Sequence, residues 1–251
     1  MTYRHLTDLA DTLRAAGLTV VELDGWRGRG RPASTGDFDP RGVLWHHTGG
    51  ASDGSTYARW MAETGRSDLP APLCQLAVGR DGTWYVCASG RANHAGTSRA
   101  SGPIPGGDGN ELYLGVECMN TGSEGWSPAQ YDAMVTGGAA LAARYGWPAP
   151  THRAHRETST TGKWDPGLLD MDRFRSDIAN HQEDPMAQFT EKDIRKIVAE
   201  ETTTVVDAAL APVVRKLDRA TTKLKKLVTK ENVTQAEVRE VLDALTGEGA
   251  S

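Results

Sequence analysis

The feature that most constrains the fold is an abrupt change of composition at His181-Gln182-Glu183-Asp184-Pro185. Before it, short apolar runs alternate with helical patterns, and glycines and tryptophans recur throughout. After it come almost no glycine or aromatic residues and much Lys, Glu, Thr, Val and Leu. A chain of 251 residues can hold one enzyme-sized domain and something smaller. The expected division is an N-terminal helix-strand and loop extension over residues 1–40, a main domain over 41–183, and an all-α segment over 184–251.

Residues 6–16 carry Leu6, Leu9, Ala10 and Leu13 at helical spacing, closed by Gly17, and residues 19–23 read as a short strand before a Gly- and Arg-rich loop. Val43, Leu44 and Trp45 form an apolar run that predicts a buried strand running to His46. A short helix over 56–63 is followed by a hairpin of 73–78 and 83–87 across Gly79-Arg80-Asp81-Gly82, then by a glycine-rich loop over 93–110 and a strand over 112–119. Ser127-Pro128-Ala129-Gln130 reads as a capping box that opens a helix to Tyr145. Strands alternating with helices, with one hairpin as the antiparallel exception, predict an α/β fold: a mixed central sheet flanked by helices. Val43, Leu44, Trp45, Leu76, Val78, Trp84 and Val86 are its expected core.

In the last segment Leu210, Val214, Leu217, Thr221, Leu224 and Val228 recur at alternating steps of four and three, a heptad-like seam of the coiled-coil kind. Thr190-Glu191-Lys192-Asp193 reads as a helix start, and Thr234-Gln235-Ala236-Glu237 as a second capping box before a last short helix. A stripe this narrow cannot form an independent core. It calls for a partner, either the main domain or another copy of the chain, so a homo-oligomer is one expected state, and targeting is the other role open to this segment.

The net charge of −5, with both signs well mixed, argues against a nucleic-acid partner. Cys74, Cys87 and Cys118 are odd in number and widely spaced, which indicates buried thiols and not a disulfide framework or a cysteine metal knuckle. The opening MTYRHLTDLADTLRAAGL lacks the apolar stretch of a secretory signal, and no run approaches the ~20 apolar residues of a membrane span. The expectation is synthesis in a cytoplasm, with any work outside it needing another exit route.

The chemistry concentrates in residues 155–167, HRETSTTGKWDPG, which put an imidazole, an ammonium and a carboxylate in one loop. Zinc takes neutral imidazole nitrogen and carboxylate oxygen, and a catalytic zinc keeps three protein ligands and one open position. His155 and Asp165 would supply two ligands, and Lys163 a positive charge where an oxyanion develops. A third is offered by His46 or His47, of which only one can face a given site because adjacent strand residues point to opposite faces. A histidine pair in a strand also fits one buried, hydrogen-bonded residue and one at the surface.

WHHTGG at 45–50, Ala92-Asn93-His94-Ala95-Gly96, Leu114-Gly115-Val116-Glu117-Cys118, and His155 with Lys163-Trp164-Asp165-Pro166-Gly167 occur in this order. Together they resemble the zinc-dependent N-acetylmuramoyl-L-alanine amidases of the type-2 amidase and peptidoglycan-recognition-protein superfamily, over roughly residues 40–180. The resemblance implies cleavage of the amide that joins N-acetylmuramic acid to L-alanine in peptidoglycan. It implies His46, His155 and Asp165 as zinc ligands, Glu117 as general base and Lys163 as the holder of the polarised carbonyl or oxyanion. His94 matches a substrate-lining position whose imidazole can hydrogen-bond the muropeptide, and Trp164 would stack on sugar or shield the zinc.

The residues also admit plainer roles. Glu117 fits a carboxylate paired to an arginine, Lys163 a solvated loop lysine, His94 a histidine satisfied within its own loop; His152 reads as structural. The leading expectation is a bacteriophage endolysin of an actinobacterial host, released to the cell wall through a holin-opened membrane. Beside it stand a cytoplasmic muropeptide-recycling amidase and a peptidoglycan-binding module without catalysis.

Overall fold

The computed structural model describes residues 2–183 and, further on, residues 206, 210–211, 214–215, 217–227 and 233–246. Its frame is a six-stranded sheet of β1 (Val20–Glu22), β2 (Val43–His47), β3 (Leu76–Val78), β4 (Trp84–Val86), β5 (Leu114–Cys118) and β6 (His152–Ala154). The strands lie in the order β1-β4-β3-β5-β2-β6. All neighbours pair in parallel except the β3–β4 hairpin, which is the mixed sheet that the alternating pattern predicts. Every residue of β2 is buried, as expected of a central strand covered on both faces.

One face packs on three helices, α1 (Leu9–Ala15), α3 (Pro128–Tyr145) and α5 (Met171–Glu183). Trp45 is central there, with Phe174 edge-on at 4.9 Å and Trp84 at 6.3 Å between ring centroids. α3 approaches closely because Gly137 and Gly138 have no side chain: a Cβ would lie 2.2 Å from the Trp84 ring at the first and 2.8 Å from Ile178 at the second. The other face carries α2 (Gly54–Arg59) and its continuing turn Trp60–Thr64 over Leu73, Ala77, Tyr85 and Met119. The glycine-rich stretch predicted as loop folds partly into a small ribbon, Thr97–Ser98 against Gly107–Asp108.

The helix ends follow their local signals. Past α1, the Gly17 N–H bonds the Arg14 carbonyl (2.9 Å) and the Leu18 N–H bonds the Leu13 carbonyl (3.3 Å). Gly17 sits at φ +79°, the left-handed stop that glycine tolerates. At α3 the Ser127 hydroxyl accepts from the Gln130 N–H at 3.1 Å. The Gln130 side chain instead turns inward and donates to the Val78 and Met119 carbonyls (3.3 and 3.2 Å). Only half of the predicted capping box forms, and the other half ties helix to sheet.

Residues 2–40 are integral to this body. β1 extends the sheet edge beside β4, and Tyr145 of α3 donates to Asp8 at 2.6 Å just ahead of α1. The three cysteines are free and buried.

The chain divides into two compact units, Met1–Phe189 and Thr190–Ser251. In the second, α6 (217–227) and α7 (Gln235–Thr246) are described. The Thr234 capping box forms: the Thr234 N–H donates to Glu237 Oε2 at 3.0 Å and the Glu237 N–H to Thr234 Oγ1 at 3.4 Å. Ala220 and Val241 are buried, whereas the seam residues Leu210, Val214, Leu217 and Leu224 are each about half exposed. Val228 and the helix start at 190–193 lie outside the described residues. Among the described residues no helix is long and apolar enough to cross a membrane.

Candidate metal centre

Register assembles the centre. Across the β2–β5 pair His46 stands opposite Glu117, and across β6–β2 Ala154 stands opposite Trp45, so His155 arrives one step further, level with His46. Trp45 and Val116 face the helices, and strand alternation therefore turns His46 and Glu117 to the other face. Three neighbouring strand ends thus present Glu117, His46 and His155 in one row, at the carboxyl ends where open α/β sheets place ligands. His155 opens a single helical turn, α4 (His155–Thr158).

The loop after α4 folds back to deliver Asp165, and it is held from two sides. The Arg156 backbone N–H donates to the Asp165 carbonyl (2.8 Å) and its guanidinium to the carbonyls of Pro166 and Leu169. The Gly167 N–H donates to His47 Nδ1 at 2.8 Å, and the His47 ring packs edge-on against Trp164 at 4.3 Å. His47 is thus occupied as an anchor of the loop. His46 is the histidine that meets His155 and Asp165.

The convergence is tight. His46 Nδ1 lies 2.9 Å from Asp165 Oδ2 and 3.1 Å from His155 Nδ1, and His155 Nδ1 lies 3.0 Å from the same Oδ2. Ligands of a tetrahedral ion at zinc–nitrogen and zinc–oxygen distances sit ~3.3 Å from one another, so these three atoms form one near-equilateral face of such a shell. His155 Nε2 faces the Ala95 carbonyl at 3.3 Å. A carbonyl only accepts, so the proton of a neutral His155 belongs on Nε2 and its Nδ1 lone pair is bare toward the carboxylate. Two lone-pair atoms 3.0 Å apart repel unless a cation lies between them. Among the described residues these three form the one group able to hold a metal ion.

Electrostatics set matching protonation states. Burial, followed by the neighbouring His155, pushes the His46 imidazole down to about 4, so it is neutral at pH 7. For Asp165, burial acts upward, but the two imidazoles of His155 and His46 beside its Oδ2 outweigh it and hold the carboxyl well below the usual range. Neutral imidazole and ionised carboxylate are the forms that ligate metal.

Glu117 stands beside this group. Burial, reinforced by the charge of Asp165 and opposed by Lys163, pushes its carboxyl up to about 8, and its Oε2 is buried with no hydrogen-bond partner. The arginine pairing that the sequence also allowed is not made. Lys163 and Trp164 line the same cavity of about 260 Å³, and Trp164 is more than half exposed at its mouth. His94 lines the cavity too, yet both ring nitrogens are engaged within the protein: Nδ1 with His46 Nε2 at 3.1 Å and Nε2 with the Tyr113 carbonyl at 3.3 Å. Neither is left for the substrate hydrogen bond that the resemblance implies. His152 is buried and takes the Trp45 indole N–H on Nδ1 at 3.3 Å, the structural role expected of it.

Sequence reasoning misses the far wall. Tyr57 and Trp60 stack face to face with centroids 5.4 Å apart and planes at 6°, and they line the cavity with Arg66 and Asn93. Their i,i+3 spacing places both on one helical face, and that spacing is the signal available in the sequence. Arg66 carries none, because its position follows from the turn after α2.

A mixed sheet that brings two imidazoles, two carboxylates and an ammonium into one cavity defines a hydrolytic enzyme of the amidase class. The N-acetylmuramoyl-L-alanine amidase family model matches residues 36–168, just over half of the chain and every residue of the centre. The chain belongs to this family. Similar solved structures include a selenomethionine derivative of AmpD, 23% identical over 64% of this chain and 93% of that one, with a TM-score of 0.48. The endolysin N-acetylmuramoyl-L-alanine amidase LysCS from Clostridium intestinale URNW is 18% identical over 63% and 93%, with a TM-score of 0.47. AmpDh3 from Pseudomonas aeruginosa, in complex with anhydromuramic pentapeptide, is 18% identical over 55% and 59%, with a TM-score of 0.44. A comparison with curated proteins gives no match.

Proposed function

We propose that the protein is a zinc-activated peptidoglycan hydrolase that cuts the amide between the lactyl group of N-acetylmuramic acid and L-alanine, and that it acts as a phage endolysin. The observation that carries the zinc assignment is the convergence of His46 Nδ1, His155 Nδ1 and Asp165 Oδ2 at 2.9 to 3.1 Å. Bound there, zinc supplies a water ionisable near neutral pH and polarises the scissile carbonyl.

The chain's own residues perform the remaining tasks. Glu117, its proton affinity raised to about 8 and its Oε2 buried and unpartnered, in its ionised form takes the proton of the attacking water and passes it to the departing alanine nitrogen. Lys163 brings its ammonium to the side of the cavity where the carbonyl oxygen gains charge. Trp164 and the stacked Tyr57–Trp60 pair offer apolar faces to the sugar ring or stem peptide. Residues 41–183 carry catalysis, and 184–251 serve self-association through the exposed seam. That second helical unit is what favours an endolysin, acting on assembled wall, over an enzyme of muropeptide recycling.

Metal analysis joined to an activity assay tests the reading. The purified protein is expected to hold about one zinc per chain, to release amino groups from purified cell walls, and to lose and regain this activity with chelator and added zinc. A protein that bound walls but held no zinc and released no amino groups would be a recognition module instead.

A further inference from the structure

The two histidines of the centre are oriented by one short segment. Ala95 presents its carbonyl to His155 Nε2 at 3.3 Å, and the neighbouring His94 presents Nδ1 to His46 Nε2 at 3.1 Å. The segment itself is clamped: the backbone N–H groups of His94 and Ala95 both donate to Asn110 Oδ1, each at 2.8 Å. Space for the His94 ring comes from Gly115, two residues before Glu117 on the same strand face. A Cβ at Gly115 would lie 2.6 Å from the His94 ring.

We propose that His94 is a positioning residue that fixes the tautomer of His46, and not a residue that binds substrate through its imidazole. The proton assignments follow from the ends of the chain of hydrogen bonds. The Tyr113 carbonyl only accepts, so the proton of a neutral His94 sits on Nε2, 3.3 Å away. His94 Nδ1 is then an acceptor, and its partner His46 Nε2 must be the donor. This leaves His46 Nδ1 unprotonated and aimed at His155 and Asp165, the form a metal requires. Outer partners of metal-bound histidines are usually carboxylates, backbone carbonyls or water. Here the acceptor for His46 is a second imidazole, whose own orientation is fixed by the backbone at Tyr113.

The inference rests on the zinc reading of the centre, and its test separates the two. In metal-free protein carrying ¹⁵N-labelled histidine, NMR is expected to find His46 protonated at Nε2. Zinc affinity, measured by competition with a chromophoric chelator, is expected to fall roughly 10–100-fold in His94→Leu, the usual cost of losing such a partner. In His94→Asn, whose Oδ1 can take the place of Nδ1, it is expected to stay within a few-fold of the unsubstituted protein. A His46 protonated at Nδ1 in the unsubstituted protein overturns the proposal without any variant, as does a Leu variant that binds zinc undiminished. An Asn variant as weak as the Leu variant would reduce His94 to a packing residue. A protein whose His46 shows the expected tautomer but which binds no zinc would remove the zinc reading and leave the tautomer assignment standing.

Discussion

Replacing Glu117 by Gln should sharply lower activity while making the metal-free protein more stable, and the size of the gain follows from the burial of the carboxyl. Its proton affinity rises from an ordinary 4.5 to about 8, and each tenfold change in affinity is worth about 1.4 kcal/mol. Ionised Glu117 therefore costs the folded state at most about 5 kcal/mol, and relaxation with entry of water should leave ~2–3 kcal/mol of it measurable. The sign is fixed by the direction: a carboxyl held more protonated in the folded state contributes its full stability below pH 4.5 and loses it as the pH rises through about 8. Glutamine copies the shape of the protonated carboxyl and does not titrate. Urea unfolding of chelator-treated protein, followed by tryptophan fluorescence, suits the purpose because all seven tryptophans lie between residues 26 and 164. The two proteins should have similar stability near pH 5, and the variant should be ~2–3 kcal/mol the more stable at pH 9, with a loss of roughly 10²–10⁴ in turnover of the zinc form. A gap that does not change with pH, or a variant less stable at pH 9, would refute the assignment of Glu117 as a buried, unpaired carboxyl.

Asp165→Ala should weaken zinc binding by more than the roughly 10–100-fold typical of an outer partner, read by chelator competition, with activity lost in parallel. Lys163→Met should lower kcat by roughly 10²–10³ and change KM much less, because its charge is needed once the oxyanion forms; a pure KM effect would make it a binding residue. Light scattering should give the full chain a larger mass, in multiples of its own, than a chain ending at Glu183. Monomers in both cases would remove self-association from the role of the C-terminal unit.

Much of this architecture is legible in the sequence because it rests on local rules. The apolar run at 43–45 read as a buried strand, the hairpin announced itself through Gly79-Arg80-Asp81-Gly82, and Gly17 closed α1 through a left-handed residue. The meeting of His46, Glu117 and His155 follows from strand ends, where alternation and register fix which side chains meet, whereas Asp165 comes from the loop after α4, which no such rule positions. What escaped was decided by non-local geometry. The pair at 46–47 left either histidine to face the centre until the packing of Trp45 on the helices fixed which face His46 takes, and Gly167 and Trp164 occupy His47. The inward turn of Gln130 depends on β3 and β5 lying beneath α3. The stacked wall of Tyr57 and Trp60 depends on how α2 lies over the sheet.

The measurement that most directly tests the central claim is mass spectrometry of purified peptidoglycan digested by the protein. The products should be stem peptides with a free L-alanine amino terminus and glycan strands bearing unsubstituted muramic acid lactyl groups. Shortened glycan strands or opened cross-bridges, with the muramoyl amide intact, would contradict it.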